Sequence, residues 1–136
     1  MRSGGRLTAT QKARLATRVW TRYVRVVVDL RRQPLPALVE RLAQTNGRRR
    51  GDAYRPATLS NAVFRSLRIG NRRPRCLVNA LVLFRLLREQ GEPAELVIGL
   101  PRDAPDQKAH AWVELGGRDV GPPPGRYGHE EMARLP

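Results

Sequence analysis

An α+β fold is predicted by three features of this 136-residue chain. Residues 76–90 are apolar on nearly every helical face, the mark of a buried helix. Two β-rich segments follow at 94–100 and 109–115, and the second runs into a tight Gly116-Gly117 turn. The first 75 residues instead repeat their apolar positions at three- and four-residue steps, the helical period. A small antiparallel sheet covered by the buried helix, with further helices before it, is the simplest packing of that series.

The elements follow in order. Thr8 and Gln11 have capping-box spacing, each side chain positioned for the other's backbone amide. From there to about Arg32, Leu15, Val19, Arg22 (by its stem), Val26 and Leu30 form one stripe, widened by Trp20, Tyr23, Val24 and Val27. The Val26–Val28 run opposes this locally, because β-branched residues lose χ1 freedom in a helix. Pro34 ends the helix, and Pro36 fits the first turn of the next, where a missing N–H costs little. Leu38, Val39 and Leu42 give that helix its apolar face, and Asn46-Gly47 closes it. Residues 47–56 read as a loop, and a third helix over 57–68 buries Leu59, Val63, Phe64 and Leu67. A basic turn over 70–75 leads into the buried helix, which Gly91 caps and Pro93 follows. Residues 101–108 form a polar loop, and Arg118–Val120 return from the hairpin turn. The Pro-rich tail from Gly121 cannot be a central strand and leads to a short helix near Glu130–Arg134. The length is that of one domain, 1–136, divided into a basic helical region (1–75), a helix-and-sheet core (76–120) and a tail (121–136).

Composition narrows the function classes. A membrane span is excluded, since no apolar run approaches ~18 residues. One Cys and two His exclude a disulfide framework and a four-ligand Cys/His zinc site. Neither a secretory signal nor a transit-peptide cleavage site is visible, so the cytoplasm is the expected compartment. The net charge of +14 is unevenly spread: residues 1–75 hold 19 basic and 3 acidic side chains, residues 76–136 hold 7 and 9. Such a front half fits an acidic partner, whether peptide, protein surface, phospholipid or nucleic acid, or merely a solvated basic face. Arg48, Arg49 and Arg50 with Tyr54 make either a clamp for peptide or phosphate or an ordinary charged loop.

Cys76 is the residue best placed for chemistry. It falls in the first turn of the buried helix, where unpaired amides and the helix dipole favour a thiolate and can hold an oxyanion. Arg73 and Arg75 add positive potential. His110, at the start of a strand in the same layer, is a candidate base for the thiol. The plain alternatives are a small buried core cysteine and a structural histidine. Trp112 and Glu114 share the strand face of His110. Packing is the simplest role for the first, with shielding of the site or a substrate contact as alternatives, and solvent exposure is expected for the second.

At these residues a resemblance enters. Cys76–Leu81, then Leu86–Gly99 with its "PAELVIG" strand, then Ala109–Glu114 ("AHAWVE") resemble the transglutaminase-like cysteine peptidases of lasso-peptide biosynthesis. Those proteins resemble the C-terminal part of the microcin-processing protein. The match covers about residues 74–120 and implies a transglutaminase-like, papain-like architecture. It also implies an activity, removal of the leader from a ribosomally made precursor peptide, with Cys76 as nucleophile and His110 as base. No metal or organic cofactor is implied. The implied partners are the precursor, a small leader-recognition protein and an ATP-dependent macrocyclase; this chain has no phosphate-loop motif of its own.

Two departures stand out. Asn79 occupies a position that is often Arg in the family, and the family's triad Asp falls here in the Pro run. Asp119 is the nearest acid and the candidate third member. A two-residue turn pairs Glu114 with Asp119, however, leaving it on the face of His110 but roughly 13 Å along the hairpin. His129, Glu130, Glu131 or a backbone carbonyl are the alternatives. A non-enzymatic basic module for nucleic acid, or an inactive relative acting as a scaffold, remain the competing functions.

Overall fold

The computed structural model describes residues 8–43, 55–67, 76–102, 109–121 and 128–135, excepting the side chains of Ala43 and Cys76. The Asn46-Gly47 stop, the Arg48–Arg50 and Tyr54 loop, Arg73 and Arg75 lie outside them. Among the described residues four helices precede four strands: α1 (Ala9–Arg32), α2 (Leu35–Ala43), α3 (Pro56–Ser66), α4 (Cys76–Glu89), β1 (Ala94–Pro101), β2 (His110–Leu115), β3 (Arg118–Gly121) and β4 (His129–Leu135).

Local chemistry accounts for the helix ends. Thr8 and Gln11 form the expected capping box: Gln11 N–H donates to Thr8 Oγ1 (3.2 Å) and Thr8 N–H to Gln11 Oε1 (3.0 Å). Pro34 separates α1 from α2, while Pro56 takes the first turn of α3, where no intrahelical amide partner is lost. At the end of α4, Glu92 N–H bonds Leu87 O and Gly91 N–H bonds Arg88 O, with Gly91 at φ 80°. This Schellman arrangement needs the left-handed conformation that glycine adopts freely.

One core joins the two halves of the chain. Leu15, Val19 and Val26 of α1, Leu38 and Leu42 of α2, and Leu59 and Val63 of α3 are buried against α4 and the sheet. Within α4, Ala80 to Phe84, Leu86 and Leu87 are all buried, as its all-round apolarity predicts. Phe64 is half-buried, a lesser burial than its apolar neighbours suggested.

The sheet is antiparallel in the order β3-β2-β1-β4. The helix expected near Glu130–Arg134 is instead the edge strand β4. Its Glu, Met, Ala, Arg and Leu favour a helix, but the open edge of β1 supplies ladder partners that outweigh so weak a local preference. Leu96, Ile98, Ala111, Val113, Leu115 and Leu135 turn toward the helices. By strand alternation, Val97, Gly99, His110, Trp112 and Glu114 turn to the opposite face.

A charge cluster fastens α1 to α4. Glu89 accepts from Arg22 Nε (2.7 Å), Arg18 Nη2 (2.8 Å) and Arg85 Nε (2.9 Å). Burial alone would raise its pKa, but hydrogen bonds from Arg18, Arg85 and Arg22 outweigh this and hold it below the ordinary value. A depressed carboxyl pKa contributes stability above the unfolded value, about 4.3, and loses it as pH falls through the folded value. Glu89→Gln is therefore expected to cost about 2 kcal/mol near pH 7. In urea unfolding, the gap between wild type and variant should narrow steadily on acidification below pH 5; a gap independent of pH would show that packing, not charge, carries the effect.

Candidate functional site

The far face of the sheet carries a polar cluster built on β2. His110, Trp112 and Glu114 alternate along it, and β4 adds His129, Glu131 and Arg134. A register shift between Ile98 and Gly99 leaves Met132 as the extra residue of β4, returning Arg134 to the face of His129 and Glu131. Gly99, between them on β1, carries no side chain, and the Trp112 ring fills the space where its Cβ would stand.

Trp112 is fully buried, and its Nε1–H donates to Glu114 Oε2 at 2.8 Å. Glu114 is 1% exposed, against the expected solvated position. The reason is its partners: besides the indole, Arg134 Nη2 donates to Oε1 at 3.0 Å. Arg134 also reaches Glu131 and, at 3.4 Å, Glu95. A carboxylate this deeply buried persists only when paired and hydrogen-bonded. The sequence hint for this chain of contacts was the alternating His-x-Trp-x-Glu itself, which puts all three on one strand face.

His110 is half-buried at the head of β2. Its ring stands edge-on to that of His129, with centroids 4.5 Å apart and planes at 75°. His129, 9% exposed, also lies 6.1 Å from the Trp112 ring centroid. Burial and then the charge of His129 push the His110 imidazole below its ordinary pKa.

Asp119 lies elsewhere. The Gly116-Gly117 turn pairs Leu115 with Arg118 and Glu114 with Asp119, the register the two-residue loop implied. A bulge follows at Val120, and Asp119 Oδ1 accepts from Gly121 N–H at 2.8 Å. Asp119 thus stands four residues along β2 from His110, roughly 13 Å at the rise of a strand, too far for a hydrogen bond.

Cys76 opens α4. The tight turn after Glu89 reverses the chain, and Arg88 ties the helix end to Ala94 O through Nε (3.1 Å) and Nη2 (2.8 Å). Ala94 pairs with Leu115, whereas His110 pairs with Gly99 further along β1. The 14 residues of α4 span roughly 20 Å, and the helix packs on the sheet face of Leu96, Ala111 and Val113, whereas His110 turns to the other face. One turn in, Asn79 is 7% exposed and its Oδ1 has no hydrogen-bond partner among the described residues.

Among the described residues no cluster of three or more His, Cys, Asp or Glu could hold a metal ion. No described helix is long and apolar enough to cross a membrane. A separate groove of about 700 Å³ lies on α1, lined by Val24, Arg25, Val28, Asp29, Arg32 and the α2 residue Arg41, among others. Val24 is 57% exposed and Val28 41%.

A family model described as the transglutaminase-like superfamily matches residues 20–132. No curated protein and no solved structure matches the chain.

Proposed function

Because the chain belongs to the transglutaminase-like superfamily, we propose that it is a cysteine peptidase that removes the leader from a ribosomally made lasso-peptide precursor. One observation supports this most: the superfamily match spans both the helix that Cys76 opens and the strand that His110 heads. The superfamily includes cysteine peptidases, and the finer reading rests on the resemblance carried by Cys76–Leu81, Leu86–Gly99 and Ala109–Glu114.

In this mechanism His110 takes the Cys76 proton, and the sulfur attacks the scissile carbonyl carbon. Backbone amides in the first turn of α4 hold the resulting oxyanion. Collapse of the tetrahedral adduct breaks the C–N bond as the His110 imidazolium protonates the leaving amine. Water, deprotonated by His110, then hydrolyses the thioester and restores the thiol. Asp119 has no part in these steps, since its register position keeps it from the imidazole. No cofactor enters them.

The α1 groove is the reading's docking surface. Arg18, Arg22 and Arg41 are committed to Glu89 and Asp29. Val24 and Val28, one turn apart and exposed between Arg25 and Arg32, remain suited to an acidic segment with apolar anchors. The precursor is assigned there, with the leader-recognition protein and macrocyclase as further partners and residues 1–136 acting as one cytoplasmic domain.

The test is the alkylation rate of Cys76, the only thiol, against pH. An apparent pKa well below about 8.5 that shifts in His110→Ala is the expected result. An ordinary thiol profile, indifferent to His110, points to a scaffold instead.

A further inference from the structure

The imidazole of His110 has a neighbour that the proposed chemistry has not used. His129 comes from β4, two strands away in the order β2-β1-β4, yet its ring lies edge-on to His110 at a centroid separation of 4.5 Å. Strand spacing alone separates β2 from β4 by roughly 9–10 Å. The strand between them presents Gly99 opposite His110 and Pro101 opposite His129, so the rings meet on a diagonal, beside the Trp112 ring that fills the space over Gly99. Trp112 beside them is held by Glu114, and Glu114 by Arg134. The indole beside the His129 ring, 6.1 Å away, is thus tied through two hydrogen bonds.

We propose that His129 is the positioning residue of the His110 base, taking the orienting place that a triad carboxylate would hold. This rests on the peptidase reading above and deepens it. Two imidazolium rings in such contact repel, whereas a neutral ring accepts the edge of its neighbour. His110 is kept neutral and ready to accept, and its ring is fixed against rotation by a neighbour that is itself nine-tenths buried. The depressed titration of His110 agrees with this arrangement.

The other charged groups near the pair are identifiable from every packed element. β4 adds Glu131, which is bonded to Arg134. β2 adds Glu114, bonded to the same arginine. β3 adds Asp119 at the far end of the hairpin, β1 adds Glu95 at its opposite end, and α4 adds Cys76 at its first residue. Glu131 faces Gly99 and lies level with His110 in the register, but it is bonded to Arg134; His129 is the group whose ring meets the imidazole.

The experiment is the NMR titration of both imidazoles in the full chain, wild type and His129→Phe, with Cys76 alkylation followed in parallel. Phenylalanine keeps the buried ring and removes the charge and the nitrogens. Wild type is expected to show His110 titrating below its ordinary value. In His129→Phe, His110 should titrate at higher pH. The alkylation rate at neutral pH should fall on the order of tenfold, a fraction of what general acid–base catalysis supplies. His129→Gln, which keeps a polar side chain beside the imidazole without the ring charge, should recover part of that loss. A His110 titration unmoved by His129→Phe overturns the pair, whatever the thiol does. Coupled imidazoles beside a thiol that ignores both histidines overturn the positioning role together with the Cys–His chemistry, and leave a structural pair. Two-dimensional amide spectra of each variant confirm that the sheet is intact, and a His110→Ala protein assigns the signals.

Discussion

Cys76→Ala is expected to abolish cleavage of a lasso-precursor peptide while leaving its binding unchanged. The nucleophile of a covalent mechanism has no substitute in the site, so the loss in kcat should be about 10⁴-fold or more. In the proposed reading, binding belongs to a separate surface. The groove of Val24, Val28, Arg25 and Arg32 lies on α1, and Cys76 opens α4. Val24→Asp with Val28→Asp should do the reverse: it places like charge against an acidic segment and removes both apolar anchors. Its effect should appear in the Kd and in KM, with kcat nearly intact. Fluorescence anisotropy with a labelled precursor, beside mass-spectrometric detection of the released leader, measures both quantities. Residual cleavage by Cys76→Ala at the wild-type rate removes Cys76 as nucleophile. Undiminished precursor binding by the double aspartate variant moves docking away from α1. Salt sensitivity follows from the same surface, because exposed guanidinium groups attract an acidic peptide less as ionic strength rises.

Much of this architecture is legible in local sequence because local chemistry sets it. Thr8 and Gln11 announce the start of α1, Gly91 the end of α4, and Gly116-Gly117 the hairpin and its register. Each is a short-range constraint with one favoured geometry. What was not legible depends on partners distant in sequence. The segment His129–Leu135 is rich in helix formers and becomes a strand only because β1 has an open edge. Glu114 reads as a solvated end-of-strand carboxylate until Arg134, 20 residues later, arrives on the same face. That arrival depends in turn on the bulge at Met132, which periodicity cannot foresee. His129 was one of several candidates to fold back toward His110, and its place beside that ring follows from the unanticipated strand that carries it. Asp119 went the other way: the hairpin register was legible, and it keeps this residue at the turn.

Gly99→Ala carries the largest expected effect on the fold, and even its sign is informative. The backbone of Gly99 is not in the left-handed region, so conformation does not require glycine there. In most strands an alanine at such a position stabilises by about 0.4–1 kcal/mol, because the unfolded chain loses freedom. Space decides otherwise here. A Cβ on Gly99 would stand 2.6 Å from Glu130 O, 2.7 Å from Trp112 Cη2 and 2.8 Å from Trp112 Cζ3. The first contact is backbone of β4. The second and third belong to a fully buried ring tied through Glu114 to Arg134. Neither neighbour yields cheaply. If β4 moves, the edge pairing with β1 and the contact of His129 with His110 are lost. If Trp112 tilts, its bond to Glu114 breaks and leaves a buried carboxylate short of a partner. The net cost should be about 3 kcal/mol, overpacking exceeding the entropic gain. Urea unfolding measures it, and tryptophan emission in a Trp20→Phe background reports Trp112 alone. A destabilised protein with red-shifted emission identifies the ring as the part that gives way, while unshifted emission with loss of His129 from the His110 environment identifies β4. A stability equal to or above wild type shows that the Trp112 ring can leave the gap at no cost.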